Sequence, residues 1–504
     1  MNRKISLLGM ALLVCYLLLF VQLNRVQVLQ AGDLRDHPEN FRNIERDFDR
    51  PRGLVLSSDG VVLARTISTP GGAFERLRQY PELDLFAHIV GYLSLEFGAE
   101  GVERAYNDLL AGQTPEQQYA ELSDLFIERD RTADITLTLR RDLQDAARTA
   151  LGERHGSVVL LDPRSGGLLA SWSWPSYDPN PLSSHDLAGA RASREALLAD
   201  PRQPLLARSY AERFFPGSSF KVVTGGVGVD NGLVTPTEPV YPSSSAYVPP
   251  ATQTPIGNFG GSSCGGALIE ILRVSCNTAF AQMGAETIGP ELMVDGAADF
   301  GFNARPPFDL PGAAASTFPT DYGALLDGPG GPGSVYEDSA KLAQASIGQN
   351  DVQASPLAMA LVAAALSGDG SVPVPRVLAE ARDAEGEVLE QPGRETWREA
   401  VSPEAAATMR QAMEAVVADG TARGLQTEGW TIGAKTGTAE ISSELAEANA
   451  WVVGYGGPSG QPPVVAFAVL VEADAVNAEQ TGGSAAVPVA KELLDVLRGV
   501  TGGA

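Results

Sequence analysis

Three short strings carry the chemistry of this chain: Ser218-Ser219-Phe220-Lys221, Ser275-Cys276-Asn277 and Lys435-Thr436-Gly437. Each pattern (SxxK, SxN, KTG) occurs once, in that order, and two of the chain's five lysines lie inside them. A hydroxyl nucleophile, an amine base three residues on, a second hydroxyl to relay a proton and a lysine beside a threonine to hold an anion are the parts for cutting and re-forming an amide through an acyl-enzyme. Lysine is a base only when neutral. From its ordinary value of about 10.4 the pKa of Lys221 must fall by roughly 3 units, about 4 kcal/mol, for the residue to work near neutral pH. Burial and a second cation lower it, and Lys435 is the available cation. The four histidines are His37, His88, His155 and His185, so none lies near the three strings in sequence.

The elements that must position these groups are legible around them. Pro216-Gly217 ahead of Ser218 and an apolar run after it predict a loop opening into a helix. On a helix, Ser218 and Lys221 share a face, and the first turn offers free N–H groups to an oxyanion. Ser275 and Asn277, two apart, project together from a turn; Ser275 would relay a proton and Asn277 would bind a substrate amide with donor and acceptor at once. Lys435 to Thr438 close an apolar strand whose edge can pair with an extended peptide. There Gly437 would leave room for the substrate backbone. The hydroxyls of Thr436 and Thr438 with Lys435 would hold a carboxylate, and the N–H groups of Ser218 and Thr438 would form the oxyanion hole. Taken singly, the strings also fit a surface helix, a polar turn and a strand-end turn. Their joint presence in order argues for chemistry.

Further out, Ser157–Leu161 and Leu168–Trp174 read as strands joined by a turn, and Pro403–Ala418 as a helix with Met409, Met413 and Val416 on one face. Trp430–Thr438, Ala450–Tyr455 and Val464–Val471 read as three more strands before a closing helix, Pro488–Leu497. Strands at both ends with helices between predict an α/β (α+β) domain over residues 151–504, with one antiparallel sheet covered on both faces. Tyr241–Gly261 and Pro306–Gly333 read as loops from their Pro, Gly and Ser content. Residues 25–150 have a different texture, rich in Arg, Asp and Glu, with no nucleophile constellation. They include a hairpin predicted at Gly53–Leu56 and Val61–Ala64 around an Asp-Gly turn, a segment Leu83–Leu95 with mixed signals, a strand at Ile135–Leu139 and a helix at Arg141–Leu151. This smaller domain is either a pedestal for a partner or a spacer.

The run Ile5–Leu23 is almost wholly apolar, and nineteen helical residues rise about 28 Å, enough for most of a bilayer core. The expectation is an uncleaved anchor over residues 1–24. The alternative, a cleaved signal, has only the poor Leu29-Gln30-Ala31 string to offer. Arg3 and Lys4 on one flank face Arg25, Arg35 and Arg42 on the other, so positive charge does not set the orientation. The net charge of −25 argues against nucleic acid as a partner. Three cysteines without CxxC spacing give no zinc site, and neither a metal nor a cofactor is expected. Cys264 and Cys276 are either two buried thiols or, in an oxidising compartment, a disulfide.

With these strings in place the chain resembles the class B penicillin-binding proteins, the actinobacterial penicillin-binding protein A type in particular. Pro51-Arg52-Gly53, Ser58 to Ala64 and Gly101 to Asn107 look like motifs of that family's N-terminal domain. Tyr177-Asp178-Pro179-Asn180 and Ile347-Gly348-Gln349 look like strings of its transpeptidase domain. The resemblance implies a penicillin-binding, serine-transpeptidase fold outside the plasma membrane on a single-pass anchor. It implies a peptidoglycan D,D-transpeptidase with Ser218 as acylated nucleophile and Lys221 as its base, stem peptides ending in D-Ala-D-Ala as donors, and β-lactams as covalent inhibitors. It further implies a membrane glycan polymerase or divisome protein as partner, in cell-wall synthesis for shape or division. A D,D-carboxypeptidase, a serine β-lactamase or a non-catalytic β-lactam-binding scaffold on the same fold stays open. Ala434, Asn449 and Ala207 stand where the family usually has glycine, histidine and asparagine, which puts loop geometry near the third string in question.

Overall fold

The computed structural model describes residues 2–26, 50–71, 74–114, 131–442, 447–473 and 480–501, with Gln30, Phe48 and Gln117 in addition. Arg35, Arg42, Leu29 and Ala31 lie outside the described residues.

A five-stranded antiparallel sheet organises the second half of the chain. Its strands are β1 (Gly156–Leu161), β2 (Leu168–Trp174), β3 (Trp430–Ser442), β4 (Glu447–Pro458) and β5 (Val465–Val471), in the order β3-β4-β5-β1-β2. Every residue of β1 and β5 is buried, as expected of central strands covered on both faces. The helices Pro356–Ser367 and Pro403–Asp419 pack on one face of the sheet, and Arg141–Leu151 and Val487–Thr501 on the other. Pro356–Ser367 is apolar all round, and each of its residues except Ala358 is buried, which makes it the central core helix. Ser355 and Ser402 cap their helices by accepting from Ala358 N and Ala405 N, each followed by proline at the first helical position.

The N-terminal region forms a second sheet of six strands, ordered 388–390, 378–382, 134–137, 55–56, 62–68, 76–79. The predicted Asp-Gly hairpin is present, with Gly60 at φ 81° and its N–H donating to Ser57 O. Two of the six strands come from far downstream: Leu378–Arg382 pairs antiparallel with Asp134–Leu137. Asp309 fixes this junction by accepting from Val377 N, Leu378 N and the Tyr106 hydroxyl, the last at 2.7 Å. Chain from beyond position 150 therefore completes the N-terminal sheet.

Several expectations are corrected. Tyr241–Gly261 is not plain loop: Tyr241–Ser244 pairs with Cys264–Gly266, and Ala246–Tyr247 with Ile256–Gly257. Leu325–Asp327, inside the second predicted loop, pairs with Val335–Tyr336. Main-chain pairing across short strands does not need the apolar alternation on which a strand reading relies. Leu83–Leu95 resolves into a 3₁₀ turn at Leu83–Phe86, one helical turn at Ala87–Val90 and a short strand at Leu93–Ser94. At the N-terminus, Asn2–Asn24 is one helix, and Leu7–Asn24 has a mean hydropathy of 2.2 and is long and apolar enough to cross a membrane.

Candidate active site

The nucleophile turn is built from both of its neighbours. Gly217–Phe220 is a 3₁₀ turn leading directly into the helix Lys221–Asp230. Gly217 N donates to Gly348 O, within the Ile347-Gly348-Gln349 string, and Phe214 exchanges both backbone bonds with Ala354. On the other side lies the edge strand β3. The expected strand end at the third string is not there: Lys435 to Thr438 sit in the middle of a thirteen-residue strand, and Thr438, Ala439 and Glu440 continue to pair with β4. Gly437 has a packing role that its sequence setting does not show. A Cβ on it would lie 2.7 Å from Pro216 O and 3.0 Å from Ser219 N, so glycine is needed for β3 to press against the nucleophile turn. Trp451, its cross-strand partner, donates from Nε1 to Phe215 O at 3.0 Å and braces the same turn.

All three strings meet at Ser275. Its backbone is left-handed, with φ at 61°, an unusual conformation for serine that costs on the order of 1 kcal/mol. That turn puts Asn277 at the start of the next helix. Lys221 Nζ donates to Ser275 O at 2.8 Å and Asn277 Oδ1 at 2.6 Å, and lies 3.3 Å from Ser275 Oγ. Lys435 Nζ donates to the same Ser275 Oγ at 2.8 Å and to Thr436 O at 2.7 Å. Asn277 Nδ2 donates to Gly257 O. Two lysine amino groups thus share one hydroxyl, and both lysine side chains are fully buried. No carboxylate is paired with either among the described residues. Burial, then the charge of Lys435, drives Lys221 well below the ordinary lysine value. Burial brings Lys435 to about 7.

Ser218 is half-buried and faces a cleft of about 1490 Å³ whose walls include Ser275, Asn277, Thr436 and Thr438. Its hydroxyl makes no hydrogen bond among the described residues, so it is free to turn toward substrate or toward Lys221; such contacts often tighten only when substrate is bound. Lys435 lies beneath the cleft wall, while Thr436 and Thr438 reach its surface. The Thr436 hydroxyl is 2.6 Å from that of Thr421, a cleft residue that sequence spacing did not single out. Cys264 and Cys276 form a disulfide, with Cα atoms 5.8 Å apart, tying the middle residue of the SxN turn to the strand Cys264–Gly266. Among the described residues no cluster of metal-ligating side chains occurs.

The three departures from the family pattern are accommodated locally. Ala434 pairs across the sheet with Gly454, where a Cβ would come within 2.8 Å of the Ala434 methyl, so the glycine opposite makes room for the alanine. Asn449 is buried and accepts from Ala473 N at 3.0 Å. Ala207 is buried beside Arg208, which pairs with Glu472 at 2.9 Å.

Residues 156–495 match the penicillin binding protein transpeptidase domain, and residues 52–134 the penicillin binding protein A dimerisation domain. The chain is 34% identical to the peptidoglycan D,D-transpeptidase PbpA of Mycolicibacterium smegmatis, over 97% of this chain and 98% of that one. With the corresponding protein of Mycobacterium tuberculosis it shares 32% over 98% of each. The crystal structure of M. tuberculosis penicillin-binding protein A as its ceftriaxone acyl-enzyme superposes with a TM-score of 0.79 at 31% identity, covering 90% of this chain and 99% of that one. The penicillin G acyl-enzyme of the same protein gives 0.78 at 32% identity, over 89% and 99%. Agreement over nearly the whole of both chains, in sequence and in fold, makes this chain a member of the penicillin-binding protein transpeptidase family, of the penicillin-binding protein A type.

Proposed function

We propose that the protein is a serine-type peptidoglycan D,D-transpeptidase whose acyl-enzyme forms on Ser218. The observation that carries this reading is the pair of buried lysines that share the Ser275 hydroxyl with no counter-charge among the described residues, beside the Ser218 hydroxyl, which has no partner among them and faces the cleft. Neutral Lys221 takes the Ser218 proton as Oγ attacks the carbonyl of the penultimate D-Ala. The N–H groups of Ser218 and Thr438 receive the oxyanion. As the C–N bond breaks, the proton passes from Lys221 through Ser275 Oγ to the departing amine of the terminal D-Ala, whose carboxylate rests on the Thr436 and Thr438 hydroxyls. The amine of a second stem peptide then attacks the ester, gives its proton to Lys221, and Ser218 recovers its hydroxyl. A β-lactam acylates the same oxygen, but its leaving nitrogen stays tethered and deacylation stalls.

The N-terminal helix acts as a single anchor with the catalytic domain outside the membrane, a reading supported by its length and hydropathy and by a disulfide suited to an oxidising compartment. The N-terminal domain serves as a docking pedestal for a membrane glycan polymerase or divisome protein. Incubation with a fluorescent penicillin tests the core of this reading: wild type is labelled stoichiometrically and Ser218→Ala is not. Labelling that survives the substitution would sink the assignment, and a label lost within seconds would indicate a β-lactamase instead.

A further inference from the structure

Among the described residues two charged side chains line the catalytic cleft, Glu270 and Arg423. Glu270 is engaged by the Arg273 guanidinium at 2.8 Å. Arg423 is exposed, and its guanidinium has no hydrogen bond or ion pair among the described residues. In a chain of net charge −25, a free cation at the rim of a cleft is a local attractor for anions. Its backbone is held firmly. Arg423–Leu425 is a 3₁₀ turn with Ala422 and Leu425 buried, Gln426 Nε2 donates to Val417 O and Ala418 O, and Gly424 packs tightly on Val487. The side chain is free while its root is fixed.

Position says which substrate it meets. Thr421, two residues before Arg423, shares its hydroxyl contact with Thr436, on the side where the leaving D-Ala carboxylate rests under the transpeptidase reading, on which this inference depends. Beyond that point the cleft adjoins a second hollow of about 720 Å³, with Gly424, Gly483 and Val487 common to both. Once D-Ala departs, the leaving side becomes the side from which the second amine must enter, because aminolysis reverses the geometry of acylation. We infer that Arg423 is a specificity residue for the acceptor: from the rim beyond Thr421 its guanidinium attracts the carboxylate carried next to the attacking amine as that carboxylate returns to the Thr436 and Thr438 hydroxyls on which the leaving one rested. The amine nitrogen bonds to the acyl carbon, the ester C–O bond breaks, Ser218 Oγ regains a proton, and the amine's proton leaves to Lys221. Arg423 takes no part in these transfers; it orients the nucleophile.

The test uses the full-length protein acylated by a thioester donor and offers the acyl-enzyme D-methionine or D-methioninamide. The readout is the ratio of transfer to hydrolysis, which does not depend on how fast the acyl-enzyme forms. Wild type favours the free carboxylate. In Arg423→Gln that preference falls about tenfold, the scale of a partly exposed charge-assisted contact. Arg423→Lys recovers part of it, and 0.5 M salt erodes it in wild type through screening. Full labelling of each variant by penicillin at long times confirms that it is folded. A preference unchanged in Arg423→Gln, or an equal loss of transfer to both acceptors, overturns the inference. A wild-type acyl-enzyme that only hydrolyses overturns the transpeptidase reading itself, and this inference with it.

Discussion

Two regions of this protein each bury a pair of cations, and they do so in opposite ways. In the N-terminal domain Arg52 and Arg78 flank Glu103, each Nε 2.6 Å from one carboxylate oxygen, all three side chains almost fully shielded from solvent. Burial alone would push the Glu103 carboxyl up, but the two guanidiniums outweigh it and hold it below the ordinary value. In the catalytic domain Lys221 and Lys435 are buried just as deeply, with hydroxyl, carbonyl and amide oxygens for company and no carboxylate among the described residues. On the proposed mechanism, the difference separates a structural joint from a reactive one. Cations given a counter-ion stay charged and hold the chain together; cations denied one shed their protons and become bases. The residue types matter as well, since an ammonium can deprotonate under burial and a guanidinium does not.

The largest effect should come from removing the uncompensated base. Lys221→Met is expected to slow acylation by labelled penicillin by at least about 10³-fold, within the range for loss of general base catalysis, with the fold retained by circular dichroism. Next comes the compensated cluster. Glu103→Ala leaves two guanidiniums buried without an anion, which should cost about 3 kcal/mol of stability, read as a lowered denaturant midpoint, while protein that remains folded still captures penicillin.

Lys435 should behave in the reverse sense to Glu103. The unfolded chain keeps a proton on this lysine up to its ordinary value of 10.5, and the folded chain only to about 7. Between those values the unfolded state binds more protons, so the lysine's cost to folding is present at pH 7 and fades as pH rises toward 10.5. Lys435→Met should therefore be more stable than wild type at pH 7, by on the order of 2 kcal/mol, with the advantage shrinking toward pH 10, and it should be nearly inactive. A destabilised Lys435→Met would show that the two regions are not opposites after all. The smallest effect is expected at the cleft wall: Thr421→Val, which strips the Thr436 hydroxyl of its partner, should slow acylation about fivefold, the scale of one hydrogen bond.

Much of this site could be read from the chain because its parts are close in sequence. Ser218 and Lys221, Ser275 and Asn277, and Lys435 and Thr436 each depend on a spacing of three residues or fewer. What escaped notice depends on contacts across long separations. Thr421 matters because its hydroxyl meets that of Thr436, and Trp451 because its indole reaches the turn before Ser218; neither has a local signature. Gly437 was legible as a glycine that permits close approach, while the approach of the Pro216 and Ser219 backbone to it belongs to the packing of two distant segments. Ala434 is accommodated by Gly454 on the opposing strand, twenty residues on in sequence. The N-terminal sheet was half legible: its hairpin follows from an Asp-Gly turn, while Leu378–Arg382 joins it from more than two hundred residues away.

The central claim is that Lys221 is neutral at working pH because burial and Lys435 make it so. The most direct measurement is the second-order rate of acylation by labelled penicillin between pH 5 and 10. Interacting lysines titrate as a pair, so the rate should climb from acid and level off well below the pH at which an ordinary lysine loses its proton, because burial and then the charge of Lys435 lower Lys221. A rate that keeps rising past pH 9, as an ordinary lysine would require, would contradict the account.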